Sequence, residues 1–402
     1  MSPVRRRSSL VAARFVAARF VAAMFVAAMF VAAGPLMAQG TISLQGFGYP
    51  PGQLTTRAAS TGGALGEFDQ AGPLNPAALM NWGVGGGYMQ YSPERRSTSV
   101  NGRTVSTTVA RFPVVAVGLP IGRRFAFGLS SSTLLDRTFT TTTSQRQQIR
   151  TDSVTTNTAV SSRGNMNDVQ FAGAMQVKPW LRVGTAVHVI TGENRFSTVR
   201  SIFPDTGARA DTVAYDNINE TSTATFGGSG LSLGVEVTPI AKLSVAASAR
   251  IGFNLRADLS DTTKVTANLP GRAGVAVRWE VGGSSIAARY NWEGWSAMKG
   301  LGAQAAGVFD TREYGIGAEV PGPRIRGGLV LLRAGVRTRN LPFGVNGVQP
   351  TENVLGGGLG LPLGFGRALI DLGLERATRT VPGLDNVSER GLIMSFGFRL
   401  RT

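Results

Sequence analysis

The chain has no cysteine and one histidine, His188, in 402 residues. Without thiols there is no disulfide framework and no thiolate metal or redox site. One histidine among scattered carboxylates has no metal-ligand spacing, so no metal and no other cofactor is expected. Charge is also sparse. Only 16% of residues are charged, against about 25% in a typical soluble domain. Long apolar runs are missing too. After residue 38 none approaches the roughly 20 apolar residues that a membrane-spanning helix needs.

What the chain has is alternation. Leu243, Val245, Ala247, Ala249, Ile251, Phe253 and Leu255 fall on one side of a strand, and Ser244 to Arg256 fall on the other. Successive side chains of a strand point to opposite faces, so the segment has an oily wall and a wet wall. At least five later segments repeat the split. The last, Leu392 to Leu400, carries Met394, Phe396 and Phe398 on the oily side. A closed barrel in a bilayer needs that pattern, apolar outside and polar inside, with no free edge. The alternative is a soluble antiparallel sandwich with one dry face.

The predicted fold is therefore all-β, a transmembrane antiparallel barrel of about fourteen strands. Strands are expected near 82–93, 104–119, 123–138, 165–178, 179–196, 222–237, 240–258, 268–280, 283–297, 309–320, 327–339, 352–364, 366–379 and 389–400. Tight connections at Gly122-Arg123-Arg124 and Gly282-Gly283 mark one end. The polar stretches 140–164 and 197–221 read as long loops at the other, and 139–160 has room for one more hairpin.

Parity assigns the lumen. Arg250, Arg256, Arg272, Arg278, Glu280, Arg289, Asn291, Glu293, Arg333, Arg337, Arg339, Arg367, Asp371 and Glu375 point inward. A charge facing hydrocarbon instead would cost a few kcal/mol (about 2–4 for arginine at mid-depth). The mixed signs read first as an ion-pair lattice bracing the wall and a plug. An ion-selective filter is the other reading. Trp279, Tyr290, Trp292 and Trp295 are expected in an interfacial aromatic girdle.

The N-terminus reads as an export signal. Arg5, Arg6 and Arg7 precede an apolar stretch built on repeats of VAARF and VAAMF, and small residues lead to a cut after Ala38. A retained anchor is the alternative. The leader holds five arginines and no acid, so the net charge of +17 falls to about 17 − 5 = +12 for the rest. The remaining arginines stand singly in strands rather than as a patch, which argues against nucleic acid. Residues 1–38 are thus read as signal peptide, 39–80 as an irregular Gly/Ala/Pro-rich segment and 81–402 as barrel. The expected address is the outer membrane of a Gram-negative bacterium.

The irregular segment contains Arg57-Ala58-Ala59-Ser60-Thr61-Gly62-Gly63-Ala64 and then Asn75-Pro76-Ala77-Ala78-Leu79. Further on come Asn268-Leu269-Pro270 with Gly274-Val275-Ala276, Tyr290 to Trp295-Ser296, and Leu332 to Gly360. Together these resemble the FadL-like family of long-chain fatty acid and hydrocarbon transport proteins and their PorV-like relatives. The chain departs from that pattern at Glu67-Phe68-Asp69-Gln70-Ala71-Gly72, where the family often has an acidic pair and Ala-Ser. The resemblance implies a hatch over 39–80, with Gly62, Gly63, Asn75, Pro76 and Ala77 as its functional residues. It implies passive transport of hydrophobic small molecules. A PorV-like scaffold for secreted partners and an anion-favouring porin are the alternatives. Expected partners are an apolar ligand, outer-membrane lipid, lipopolysaccharide and the barrel-assembly machinery, with the chain a monomer.

Phe112-Pro113 and Leu134-Leu135 are candidates for an apolar pocket, with a strand bulge as the plainer account of Pro113. No enzyme is expected. A hydrolase would need a serine beside His188 on a facing strand and a polar group to orient the ring, and Ser244 and Ser248 are the candidates.

Overall fold

The structure, a computed structural model, describes residues 41–44, 47–149, 152–204, 216–260, 263–301, 307–325, 328–345 and 347–401. The expected export signal at 1–38 lies outside the described residues. From Gly86 onward the chain is strand after strand. In order they are β1 (Gly86–Val100), β2 (Arg103–Arg111), β3 (Val114–Ile121), β4 (Phe125–Asp136), β5 (Phe139–Ile149) and β6 (Asp152–Lys178). Then come β7 (Leu181–Pro204), β8 (Ile218–Ile240), β9 (Leu243–Leu259), β10 (Lys264–Asn268), β11 (Arg272–Val281) and β12 (Ser284–Glu293). The last are β13 (Thr311–Ile325), β14 (Gly328–Asn340), β15 (Thr351–Leu363), β16 (Ala368–Thr380) and β17 (Val387–Arg401).

Fourteen of these close a ring of antiparallel pairs, β17 returning to β1 with Gly86 opposite Arg401 and Val100 opposite Val387. The other three are continuations. β2 extends β3 across Phe112-Pro113, β5 extends β4 across Arg137-Thr138, and β10 extends β11 across Leu269-Pro270-Gly271. Two of the breaks carry proline, which has no N–H to give to a ladder. Among the described residues β2 pairs with β1 alone and β5 with β6 alone. The wall therefore has a seam between β2 and β5.

Short turns gather at one end. Gly282 and Gly283 both have positive φ, 57° and 83°, as a two-residue hairpin of primed type requires. At the other end β6, β7 and β8 run for 27, 24 and 23 residues. About ten residues cross a bilayer, so these strands continue well beyond it. The stretch 140–164, expected as a loop with room for a hairpin, is β5 and the start of β6, and of 197–221, also expected as a loop, residues 197–204 and 218–221 belong to β7 and β8 while 205–215 lie outside the described residues; a polar run is as good a strand as an oily one once both faces meet water.

Leu392, Met394, Phe396, Phe398 and Leu400 are exposed on the outside, while Ile393, Ser395 and Arg399 are buried inside. Parity holds along β11, β12 and β14 as well, but it inverts in β9. Between Gly228↔Leu255 and Gly230↔Gly252 one residue of β8 faces two of β9, a bulge. Leu255 turns inward, and Arg256 turns outward with 59% of its side chain exposed, against the lumen position expected for it. Arg367 is likewise not inward: it sits exposed in the turn before β16. Trp295 leaves the expected girdle for a buried position, its Nε1 donating to Glu293 Oε2 at 2.6 Å.

Leu233 is exposed on the outer face of β8. Leu233→Arg is expected to lower the free energy of folding into lipid vesicles by about 2–4 kcal/mol, measured by urea unfolding. A cost near zero would mean this face does not meet hydrocarbon.

Candidate functional site

The segment ahead of β1 runs inside the barrel and is buried almost throughout from Phe47 to Leu79. Its course follows from local chemistry. Thr55 caps helix Thr56–Ser60, accepting from Ala58 N at 3.2 Å, and its hydroxyl meets Asp69. Gly62 and Gly63, both at positive φ, end that turn. Asn75 caps the 3-10 helix Pro76–Trp82: its Oδ1 accepts from Ala77 N at 3.0 Å and its Nδ2 donates to Glu67 O at 3.0 Å. Pro76 occupies the first helical position, where its missing N–H costs nothing.

The segment docks where the wall has no side chains. A Cβ at Gly234 would fall on Asn75 and Pro76, and one at Gly184 on the Pro76–Ala77 peptide. Added at Gly315, Gly317 or Gly335 it would fall on the backbone of Thr61 and Gly62. Gly358 and Gly373 face Ser60, and Gly118 faces the ring of Trp82. Glycine here buys close approach, backbone against backbone, on the lumen face.

Charge supplies the second attachment. Tyr49 stands at the centre of the larger cluster, ringed by Arg96, Arg111, Arg339 and Arg379 at 4.5–5.4 Å from its centroid. Its hydroxyl donates to Glu352 at 2.8 Å and accepts from Arg339 and Arg379 at 2.7 and 3.0 Å. Burial pushes this phenol above its ordinary pKa, so it stays neutral. The arginines are held in turn by Glu94, Asp136, Glu352 and Glu389. Tyr49 also exchanges two backbone hydrogen bonds with Asp136, of 2.7 and 2.9 Å, and so lines the seam from inside.

Other pairs tie segment to wall. Arg57 binds Glu319 through two nitrogens at 2.7 and 3.0 Å, and Glu319 also accepts from Arg333 at 2.7 Å. Arg289 bridges Glu67 and Glu313 at 3.2 and 2.6 Å. Arg272 reaches the carbonyl of Leu74. Arg278 lies over the ring of Phe68. Within the wall itself, Arg337 meets Glu375 at 3.5 Å and Asp371 lies beside Arg333 and Arg399.

His188 is buried between two partners: Nδ1 lies 2.8 Å from Asp168 Oδ1 and Nε2 lies 2.9 Å from Ser232 Oγ. The serine is thus Ser232 on β8, not Ser244 or Ser248. Asp168 is shared with Arg250 at 3.1 Å and with Gln53 of the inner segment at 3.2 Å. All of Ser232, His188 and Asp168 are about 1% exposed, so the arrangement braces strands and segment together.

At the end away from the short turns the lumen changes character. Among the described residues fifteen buried apolar ones form one cluster, including Leu134, Leu135, Met166, Phe226, Leu255, Trp295, Phe343 and Phe47 of the inner segment. Phe112 is not part of it: it is 62% exposed outside, its ring 5.2 Å from Tyr91. Pro113 is buried and lines a cavity of about 40 Å³ with Tyr49, Arg111 and Ile393, room for a few waters.

No protein-family model and no curated protein matches the chain. Solved structures do. A FadL homologue from Pseudomonas aeruginosa superposes with a TM-score of 0.57 at 12% identity, over 88% of this chain and 99% of that one. The toluene transporter TbuX of Ralstonia pickettii gives 0.57 at 18%, over 87% and 98%. The toluene transporter TodX of P. putida gives 0.54 at 11%, over 87% and 98%. The chain has the FadL-type fold.

Tyr49, Glu94, Arg96, Arg111 and Arg379 were not singled out from sequence. Inward parity of Tyr88, Gln90, Ser92, Glu94 and Arg96 along β1 was a usable signal for two of them. None existed for Tyr49, which lies in irregular chain.

Gly335→Val is expected to unseat Thr61 and Gly62. Arg57 is the one trypsin site between Thr41 and Arg95, and cleavage after it should accelerate by about tenfold or more if cleavage tracks the open population. An unchanged rate would show the contact to be dispensable.

Proposed function

We propose that the chain is a passive channel of the bacterial outer membrane for hydrophobic small molecules, hydrocarbons or long-chain fatty acids, with residues 39–80 as a hatch. The observation that carries this reading is the apolar cluster inside a lumen otherwise lined by charge. A water-filled porin has no use for such an interior, whereas an apolar solute leaves water to enter it. Two of the structures cited above are of proteins described as toluene transporters. The lumen arginines are largely held by carboxylates, which argues against an open anion-favouring pore.

On this reading a ligand enters at the end away from the short turns and settles among the apolar side chains. The hatch then shifts. The ligand passes inward, or sideways through the seam between β2 and β5 beside Pro113. Lipid and lipopolysaccharide surround a monomer inserted by the barrel-assembly machinery, and no chemistry is performed on the solute. The height of β6, β7 and β8 keeps the scaffold reading alive, since a polar sheet beyond the bilayer suits a protein partner.

The chain lacks cysteine, so no native thiol competes with an introduced pair. Thr56 Oγ1 lies 3.0 Å from where a Cβ of Gly397 would stand. Thr56→Cys with Gly397→Cys should form a disulfide fixing the hatch to β17. Uptake of radiolabelled toluene and oleate by cells making the chain should exceed that of empty cells, fall to background on oxidation and return with dithiothreitol. Uptake no greater than in empty cells, with exported proteins co-purifying, would favour the scaffold.

A further inference from the structure

Three arginines stand together on the outer face of the wall, where the barrel closes. On β17 the outward residues from Leu400 up to Leu392 are apolar and exposed, except where glycine or small residues alternate inward. That run matches the roughly 9–11 residues with which a tilted strand crosses a bilayer. The next outward residue, away from the short turns, is Arg390, and it is exposed. The neighbouring strands end their apolar runs at the same height. Leu392 lies opposite Arg95 of β1 on one side and opposite Arg376 of β16 on the other, and both arginines are exposed. Arg390 is the diagonal neighbour of each, at about 7–8 Å, within reach of long side chains. Arg95 and Arg376 are two strand spacings apart, about 10 Å.

No acid accompanies them. The other outward residues beyond the apolar runs of these strands are Ser97, Ser99, Ser388, Thr378 and Thr380. Among the described residues none of the three arginines has a hydrogen bond or ion pair with the protein. Arg96 and Arg379, on the inward face of β1 and β16, are by contrast bound to Glu94 and Glu389. Like charges on adjacent strands repel, and water screens them less at the edge of hydrocarbon. An anion over Leu392 would remove that repulsion, and guanidinium forks match phosphate oxygens. Height fixes where the anion comes from. Directly below the arginines lie exposed Leu374, Leu392 and Met394, and Leu355 lies opposite Arg376. A molecule that touches both levels has phosphate at one end and hydrocarbon at the other.

We propose that Arg95, Arg376 and Arg390 bind the phosphomonoester head group of a lipid of the outer leaflet, whose acyl chains lie on Leu355, Leu374, Leu392 and Met394. A monoester offers three strong acceptor oxygens and a charge of about −1.5 to −2, enough for three guanidinium groups. The head group bridges β1, β17 and β16, and so ties the first strand of the ring to the last across the closure. The assignment requires the wall to face lipid and is independent of what crosses the lumen.

The full chain in detergent with EDTA is titrated, by native mass spectrometry, with lipid A carrying both phosphates, with the same lipid stripped of them, and with phosphatidylglycerol, a phosphodiester. The phosphorylated lipid A should bind about tenfold or more tighter than the stripped one, as one charge-assisted hydrogen bond provides. It should also bind tighter than phosphatidylglycerol. Added salt should weaken it and leave the stripped lipid unchanged. Replacing all three, Arg95→Gln with Arg376→Gln and Arg390→Gln, should erase the preference. Arg312→Gln, at an exposed arginine of β13, should keep it. Equal binding of phosphorylated and stripped lipid A overturns the assignment, and so does a preference that survives the triple replacement. Phosphatidylglycerol bound as tightly as lipid A overturns the monoester, and displacement by millimolar inorganic phosphate overturns the lipid as its source. Should the triple variant not fold, Arg390→Gln alone should reduce the preference, and an unchanged one in it overturns the assignment. If no lipid binds, the outer site fails while the channel reading stands on the uptake of toluene and oleate.

Discussion

Hydrocarbon offers no hydrogen bonds, so every amide and carbonyl of the wall must find its partner in a neighbouring strand. Closure of β17 on β1 meets that demand. Closure in turn imposes a period of two on the side chains. The outer face must be apolar, and every polar or charged residue that strands carry is turned into one confined lumen. The lumen charges cannot stay unpaired there at low cost. Clusters such as Arg379 with Glu94, Glu352 and Glu389 follow from the wall's outer constraint as much as from any inner task.

The inner segment exploits the same confinement. Its backbone needs partners and its helices are too short to hold themselves. It finds closeness over glycines of the wall and polarity in the pairs Arg57–Glu319 and Glu67–Arg289. The 53 glycines of the chain have a physical reason beyond turns: many stand in mid-strand where a side chain would occupy the place of the segment. A Gly-rich strand is weakened on its own, and that cost is offset by what docks on it.

The fold was largely legible because alternation is a direct imprint of the two solvents. Fourteen strands, the tight turns and the inward Arg250, Arg289, Arg333 and Arg337 all follow from parity. Parity fails where register shifts. One extra residue at Phe253-Asn254 exchanged the faces of Leu255 and Arg256, and nothing in the residues themselves marks it. The interior was less legible for a different reason. The turn at Asn75, Pro76 and Ala77 is local, Asn75 accepting from the amide two residues on. Tyr49 meeting Arg379, or Asp168 meeting His188 and Ser232, depends on strands far apart in sequence being neighbours around a ring.

The seam gives these parts one location. Pro113 withholds a donor, and β2 and β5 remain unpaired with each other above it. The inner segment covers that break with Tyr49, whose backbone pairs with Asp136 and whose ring stands among four arginines. Two residues earlier, Phe47 enters the apolar cluster beside Arg137. The same short stretch thus spans the edge of the wall, the charge lattice and the oily chamber. Shifting Phe47 and keeping Tyr49 in place would require Gly48 to absorb the change, yet Gly48 is closely packed on Leu135 and Asp136. The chamber and the seam are therefore coupled through three residues of backbone.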